Sequence, residues 1–273
     1  MMKKSYSRPR QAEKRSPSPA RRSNTVSRDT SWQGHAKWYR GVVHKEDSYQ
    51  KTVLLPGLLK LLDLKGTEAI VEIGSGDGFF SKSLAAHAKS VVGVELSPEM
   101  VALANEKRLR NVSFLVGDAQ KLPKFKELFD VAVIMMAIQN IPDLDAALRN
   151  AARSLKSSGR LVVVMNHPVL RVPRQSSWGW DETKKMQYRR IDTYLSEQKI
   201  PIAMHPGSGQ KEVTWSFHRP LEAYFKSLKS AGFVVADLQE WISPRESEGG
   251  RARAENRART EFPLFLAIEA KKI

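Results

Sequence analysis

Three glycines at alternate positions, Gly74, Gly76 and Gly78, follow a short apolar run in the middle of the chain. Glycine has no Cβ and tolerates positive φ, so the backbone of such a segment can lie very close to a ligand. Glu72 precedes these glycines and Asp77 lies between two of them, so both add acceptors for a positively charged group. The pattern is typical of a ligand-binding turn, and an ordinary glycine turn is the simpler alternative.

Two more acids follow, each at the end of a predicted strand. Glu95 ends the run 91–96, in a position that suits a carboxylate that binds both hydroxyls of a ribose. Asp118 ends the run 113–119, where it can accept from an adenine amino group. The dinucleotide fingerprint G-x-G-x-x-G is a rival interpretation, but the third glycine comes one residue too early, which disfavours a nicotinamide-dependent oxidoreductase.

The ordered segments E-I-G-S-G-D-G, V-E-L and G-D-A resemble the class I S-adenosylmethionine-dependent methyltransferases, over roughly residues 32–273. The resemblance implies S-adenosylmethionine as cofactor, with its methionine part on the glycine loop, its ribose on Glu95 and its adenine beside Asp118. Residues 38–40 resemble an N-terminal helix that closes over the cofactor, although Arg40 stands where an acid is usual. The predicted cofactor residues are Tyr39, Glu72, Gly74, Ser75, Gly76, Asp77, Gly78, Glu95, Leu96, Asp118, Ala119 and Met136.

Methyl transfer requires that the acceptor be aligned with the methyl group, and a base is needed when the acceptor carries a proton. Gln139 follows the fourth predicted strand and can orient an acceptor by hydrogen bonding, but it cannot act as a base. His167, at the end of the fifth strand, is the best-placed base, with His205 and His218 as alternatives and a purely structural histidine as another. No spacing of histidines and carboxylates suggests a metal site.

The elements around these residues alternate between strands and helices, which predicts a doubly wound α/β fold with a parallel sheet. Predicted strands cover 70–73, 91–96, 113–117, 129–136 and 160–166, and predicted helices cover 52–63, 79–88, 98–108, 143–156 and 221–231, with Gly159 as a helix stop. Strands 233–238 and 262–269 have no helix between them and are expected to pair antiparallel. The resemblance implies seven strands, closed by this C-terminal hairpin, and the linker 243–260 is predicted to be a mobile surface loop.

About fifty residues separate the fifth strand from the helix 221–231, far more than the ~2–6 of a plain connection. The insertion 168–219 is therefore predicted to form a cap over the acceptor, with two short strands at 200–204 and 213–217. The predicted walls of the acceptor pocket are Trp178, Trp180, Tyr188 and Tyr194. Arg174, with Arg189 and Arg190, is predicted to bind an acidic group, since arginine suits bidentate contacts with carboxylate or phosphate.

The composition of the 273 residues is uneven, with hydrophobic residues at 41% and a net charge of +16. Residues 1–30 are rich in Ser, Pro and Arg and are predicted to be a disordered basic tail, and 31–273 a single methyltransferase domain. The basic charge predicts weak, non-specific contact with nucleic acid. No apolar run approaches the ~18 residues of a membrane helix, no signal peptide begins the chain and no cysteine is present. We expect no membrane insertion and a cytoplasmic location.

The sequence thus predicts a methyltransferase that acts on a small, anionic or aromatic acceptor, without indicating the oligomeric state. An RNA or protein methyltransferase that uses the basic tail is one alternative. A non-catalytic nucleic-acid-binding protein on the same fold is an alternative of another class. Salt-dependent turnover that disappears on removal of residues 1–30 would favour the first of these alternatives.

Overall fold

The computed structural model describes residues 40–41, 43–106, 109–203 and 213–273. The predicted tail 1–30 and the predicted cofactor residue Tyr39 lie outside these ranges, as does His205. The described strands are β1 (Ala69–Ile73), β2 (Ser90–Glu95), β3 (Val112–Val116), β4 (Phe129–Met135), β5 (Leu155–Asn166), β6 (Ser176–Asp181), β7 (Met186–Ile191), β8 (Gln198–Ala203), β9 (Val213–His218), β10 (Phe233–Trp241) and β11 (Phe265–Lys272).

The described helices begin and end at residues whose chemistry explains their boundaries. Ser97 caps the third helix by accepting from Met100 N, with Pro98 at its first position, and Asp143 caps the fourth by accepting from Ala146 N. The α-helices are α1 (Leu55–Leu62), α2 (Phe79–Leu84), α3 (Pro98–Asn105), α4 (Leu144–Ser154), α5 (Leu221–Ser230) and α6 (Ala252–Glu261); a π-helical turn, Gln50–Leu54, runs into α1.

Seven strands form one sheet in the order β3–β2–β1–β4–β5–β11–β10. The first five of these are mutually parallel, and β11 is antiparallel to both β5 and β10. The predicted doubly wound sheet with its C-terminal antiparallel hairpin is therefore confirmed. The chain runs from β1 outward to β2 and β3 on one side of the sheet, and from β4 outward to β5 on the other, so the strand order reverses between β1 and β4. Folds of this kind bind ligands at such a reversal.

Each face of the sheet is covered by helices that bury an apolar stripe. On one face α4 buries Leu144, Leu148 and Ala151, which recur at helical spacing. On the other face α1 contributes Leu58 and Leu62. Both faces are thus buried, which explains why β1 and β4 are continuous apolar runs rather than alternating ones.

Several predicted boundaries differ from the structure, and two of the differences change the kind of element. The linker 243–260 is not all loop, because α6 occupies Ala252–Glu261. That helix buries only Ala258, so its polar sequence has no apolar stripe to reveal it, although Ala, Arg and Glu are good helix formers. The fourth helix was also predicted too long: α4 ends at Ser154, so Gly159 lies inside β5 rather than stopping a helix.

The described residues of the insertion between β5 and α5 form two separate antiparallel hairpins. The pair β8–β9 was predicted, and it runs over Gln198–Ala203 and Val213–His218. The pair β6–β7 was not predicted; in it Gly179 lies opposite Tyr188, whose ring occupies the space where a Cβ would be, 2.3 Å from the ring. The two hairpins contact different parts of the protein, and this separates the predicted acceptor residues.

Candidate cofactor and acceptor site

The glycine loop follows β1 and turns sharply over the end of β2. Gly74 N and Ser75 N both donate to Val94 O, at 2.7 and 3.1 Å. Gly74, Gly76 and Gly78 have φ values of 78°, 55° and 79°, a left-handed region that other residues rarely adopt. A Cβ on Gly74 would lie 2.5 Å from the Ala137 side chain. The loop therefore needs glycine both for its backbone and for its close contact with the segment after β4.

A cavity of about 330 Å³ opens at the carboxyl ends of the parallel strands, beside the glycine loop. We call it the cofactor cavity. Its size lies within the range of small-molecule sites. It brings together eight predicted site residues: Gly74, Gly76, Glu95, Leu96, Asp118, Ala119, Met136 and Gln139.

Two carboxylates line this cavity from neighbouring strands. Glu95 is buried and accepts from Gly76 N at 3.0 Å and from Ser97 N at 2.9 Å, which ties the loop to the end of β2. Burial raises the pKa of Glu95. Asp118 accepts from Gln120 N at 2.8 Å. Each carboxylate oxygen has more than one lone pair, so both groups can still accept from ligand hydroxyl or amino groups.

Four predicted cofactor residues lie behind the loop rather than on the cavity wall. Glu72 accepts from Ser81 Oγ, and burial raises the pKa of Glu72 to about 8. Asp77 Oδ2 pairs with His44 Nε2 at 2.7 Å. The other two are Ser75, near Gly93, and Gly78, near Phe114. Glu72 and Asp77 are thus paired within the protein, whereas Ser75 Oγ is buried and has no hydrogen-bond partner among the described residues.

The segment after β4 forms the opposite wall of the cofactor cavity. Met136 has a φ of 53°, which is unusual for a non-glycine residue and is a kind of strain found at functional sites. Gln139 Nε2 donates to Met136 O at 2.7 Å, so the amide is held in one orientation. Gln139 Oε1 is buried and has no partner among the described residues. It is therefore an acceptor aimed at whatever occupies this wall.

The β8–β9 hairpin, not β6–β7, covers this wall. Asn140 Nδ2 donates to Trp215 O at 2.9 Å, and Arg219 donates to Ile141 O at 2.9 Å. Sequence reasoning missed several lining residues here, although alternation on β9 would have placed Thr214 and Ser216 on one face. The missed polar lining residues are Gln50, Gln120, Asn140, Asn166, Thr214 and Ser216.

The predicted bases are bonded elsewhere. His167 Nε2 pairs with Glu240 Oε1 at 2.7 Å, while its Nδ1 accepts from Val169 N and Leu170 N at 3.3 Å. His218 Nε2 contacts Tyr194 O at 2.6 Å. Neither histidine lines the cofactor cavity, and both ring nitrogens of His167 have hydrogen-bond partners within the protein.

None of the predicted acceptor residues lines this cavity either. Tyr194 Oη accepts from Leu221 N at 2.9 Å and so caps the start of α5. Trp180 stacks against the Arg251 guanidinium, with 4.5 Å from the ring centroid to Cζ. Tyr188 is 45% exposed, and Arg174 is also exposed. Trp180 and Tyr188 lie on the β6–β7 hairpin, and no residue of that hairpin lines the cofactor cavity.

Two kinds of feature are absent from the described ranges. No group of three or more His, Cys, Asp or Glu residues there could bind a metal ion. None of the helices in those ranges combines the length and the apolar character needed to cross a membrane.

Comparison with known proteins places residues 71–163 in a family described as a methyltransferase domain. A demethylmenaquinone methyltransferase from Tropheryma whipplei is 30% identical over 40% of this chain and 46% of its own length. A ubiquinone biosynthesis O-methyltransferase from Coxiella burnetii is 29% identical over 37% of this chain and 44% of its own. The chain thus spans about half the length of the curated relatives it matches.

A solved structure extends the likeness to most of the fold. The S-adenosylmethionine-dependent methyltransferase from Mesorhizobium loti is 26% identical, with a TM-score of 0.64 over 80% of this chain and 96% of that one. The cofactor cavity fits S-adenosylmethionine, because it combines a glycine loop with no room for a Cβ, two carboxylates and the unpartnered Gln139 oxygen. Residues 71–163 thus match a methyltransferase domain, and the described fold is the class I, Rossmann-like fold of S-adenosylmethionine-dependent methyltransferases.

Proposed function

We propose that the protein transfers a methyl group from S-adenosylmethionine to a small-molecule acceptor. The observation that supports this most strongly is that the glycine loop, Glu95 and Asp118 converge on one cavity which also contains Gln139. The names of the curated relatives, demethylmenaquinone methyltransferase and ubiquinone biosynthesis O-methyltransferase, support a small-molecule acceptor.

In this proposal the residues of the cofactor cavity have separate roles. Gly74 and Gly76 bring main-chain atoms against the methionine part of the cofactor, while Glu95 accepts from the ribose hydroxyls. Asp118 accepts from the adenine amino group, and Ala119 borders the ring. When bound, the cofactor supplies an electrophilic methyl group on a positively charged sulfur, and the group that leaves is neutral.

The wall of the cavity around Gln139 is suited to aligning the methyl acceptor rather than to removing a proton from it. Among the described residues that line it, the only titratable side chains are Glu95 and Asp118, both committed to the cofactor. Gln139 offers a buried amide oxygen to a donor on the acceptor, and its amide is fixed by its bond to Met136 O. We therefore propose an acceptor whose nucleophile needs no strong enzymatic base, such as an acidic hydroxyl group that ionises at neutral pH.

A screen with labelled cofactor tests this proposal. The full chain is incubated with methyl-labelled S-adenosylmethionine and a metabolite extract, and the labelled products are separated by size and identified by mass. We expect label in a low-molecular-weight product, and none with a Gly76→Val variant. Label in RNA or protein instead would overturn the small-molecule acceptor and favour the polymer-modifying alternative.

A Gln139→Ala variant tests the alignment role once an acceptor is known. Removing an acceptor-orienting amide should lower kcat for the acceptor, while the affinity for S-adenosylhomocysteine stays within about twofold. Equal losses in kcat and in cofactor affinity would show that Gln139 supports the cofactor cavity instead.

A further inference from the structure

A second cavity of about 200 Å³ lies beside the carboxyl end of β5, between the β6–β7 hairpin, α6 and the segment before β11. Three of its walls are arginines from distant parts of the chain, so we call it the arginine cavity. Its lining residues are Tyr49, Leu170, Arg171, Trp178, Arg189, Ser243, Arg259, Phe262, Pro263 and Leu264. It shares none of these residues with the cofactor cavity.

Arg171 has a charge that nothing in the described ranges compensates. Its guanidinium is half-buried and makes no hydrogen bond or ion pair there; the distance from its Cζ to the centroid of the Phe265 ring is 5.9 Å. Burial lowers the pKa of Arg171. A guanidinium nevertheless stays charged in proteins, so this side chain represents a desolvated positive charge that an anion would stabilise.

Arg189 and Arg259 add donors that are held in place. Arg189 Nε donates to Leu170 O and its Nη2 to Ser176 Oγ, both at 2.7 Å, and its guanidinium stacks on Trp178. Burial, and then the neighbouring charge of Arg171, lowers the pKa of Arg189. Arg259 Nη2 donates to Ser247 Oγ at 3.0 Å.

One donor in this cluster is left over. Arg259 Nε is buried and has no hydrogen-bond partner among the described residues. None of the residues that line the arginine cavity is acidic, whereas two neutral hydroxyl groups, Tyr49 Oη and Ser243 Oγ, contact each other at 3.0 Å. Three guanidinium groups and two hydroxyl groups therefore face one small space without an acceptor of matching charge.

The remaining walls are apolar and set the kind of molecule that fits. Trp178 and Phe262 pack edge to face with 5.6 Å between ring centroids, and Leu170, Pro263 and Leu264 complete the lining. At about 200 Å³ the cavity is smaller than the roughly 300 Å³ at which sites for drug-sized ligands begin, so it suits a small molecule or one end of a larger one.

We propose that the arginine cavity is a second ligand site, which binds the carboxylate or phosphate group of a ligand with an apolar or aromatic body. This site does not depend on the methyltransferase activity proposed above. It lies close to the cofactor cavity, because Tyr49 lines one cavity and its neighbour Gln50 the other.

Titration of the full chain with three small probes tests this site. Benzoate and phenyl phosphate carry the two candidate anionic groups on the same ring, and benzyl alcohol is their neutral counterpart. Calorimetry or ligand-detected NMR should show saturable binding of at least one anion and at least tenfold weaker binding of the alcohol. The preferred anion distinguishes a carboxylate ligand from a phosphate ester. Equal binding of all three probes, or of none, would overturn the proposal.

Matched arginine variants assign the binding to this cavity. Arg171→Gln and Arg259→Gln should each weaken anion binding at least tenfold, whereas Arg190→Gln should not, since Arg190 is exposed and paired with Asp192 at 2.6 Å. Arg171→Gln removes an uncompensated charge, so its melting temperature without ligand should equal or exceed that of the wild type. Anion binding that survives Arg171→Gln, or that falls equally with Arg190→Gln, would contradict the assignment.

Discussion

The cofactor cavity and the arginine cavity lie at the same edge of the sheet, but they are built in opposite ways. The cofactor cavity takes its shape from a short loop, residues 74–78, and its charged walls are the acids Glu95 and Asp118. The arginine cavity takes its shape from side chains of separate elements, and its charged walls are three arginines. The charged walls of the cofactor cavity offer hydrogen-bond acceptors, and those of the arginine cavity offer hydrogen-bond donors.

This difference decides which ligand groups each cavity can bind. Carboxylates next to main-chain atoms suit hydroxyl, amino and positively charged groups, whereas clustered guanidinium groups suit carboxylate and phosphate. The same difference explains why most of the cofactor cavity was predicted from sequence, whereas of the three arginines only Arg189 was predicted to bind an acidic group, and in a different pocket. A loop is encoded by neighbouring residues, but a cluster of arginines depends on which distant segments meet.

The largest expected effect comes from filling the glycine loop. Gly76→Val should weaken S-adenosylhomocysteine binding at least about a hundredfold, because valine must adopt a left-handed backbone and adds a branched side chain to the cavity wall. Gly66→Val is the matched control, since Gly66 has a φ of 83° but nothing within 4 Å of its Cβ position. Its affinity, measured by calorimetry, should equal that of the wild type. Comparable losses in both variants would mean that strain alone, not the cavity, is responsible.

The buried carboxyl behind the loop gives the next largest effect, on stability. The folded pKa of Glu72 is about 8 against an ordinary value of 4.5, so the folded state keeps a proton that the unfolded chain releases. Its contribution to stability is therefore complete below about pH 4.5 and is lost as the pH rises towards 8. Glu72→Gln stays neutral and should gain stability relative to the wild type as the pH rises through this window, by up to roughly 5 kcal/mol at its upper end.

Chemical denaturation at several pH values measures this gain. The exposed Glu246→Gln should show no such trend. A difference between Glu72→Gln and wild type that does not change between pH 5 and pH 9 would contradict the raised pKa.

A smaller effect is expected at the adenine end of the cofactor cavity. Asp118→Ala should weaken S-adenosylhomocysteine binding about tenfold, the value of one hydrogen bond to a charged group. Asp237→Ala is its control: Asp237 is exposed and, like Asp118, accepts from a nearby backbone N–H and a glutamine side-chain amide, but it lies on β10. If both variants bind as the wild type does, Asp118 does not contact the cofactor.

The smallest effect tests whether the two cavities are independent. Arg171→Gln should leave the affinity for S-adenosylhomocysteine within about twofold of the wild-type value, because no arginine lines the cofactor cavity in the described ranges. Calorimetry without added anion is the measurement. A tenfold change would mean that both cavities belong to one continuous site, and the distinction between them would have to be abandoned.

Much of the cofactor cavity could be predicted because its signals are local. The positions of Gly74, Glu95 and Asp118 follow directly from strands that end at the same edge of a parallel sheet, and all three line the cavity. Glu72 and Asp77 occur in the same segment, yet alternation in β1 turns Glu72 towards Ser81 and the turn after β1 directs Asp77 towards His44. Sequence spacing located the loop but not the direction of each side chain.

The insertion could not be predicted to the same degree because its contacts are distant. Trp180 and Tyr188 were assigned to the acceptor pocket because they are aromatic, but their hairpin packs near α6. That helix was not predicted, because its sequence is polar and has no apolar stripe. His167 lies at the end of β5, as the sequence predicted. Its hydrogen bond with Glu240, which is distant in sequence, could be seen only in the structure. The type of a residue and its position at a strand end therefore predict where the residue lies better than they predict what its side chain does.

The most direct test of the central claim is a calorimetric titration of the wild-type chain with S-adenosylhomocysteine, and in parallel with a nicotinamide dinucleotide. The cofactor cavity, with its glycine loop and two carboxylates, predicts saturable binding of one S-adenosylhomocysteine per chain and no measurable binding of the dinucleotide. Binding of the dinucleotide without binding of S-adenosylhomocysteine would contradict the assignment of this cavity.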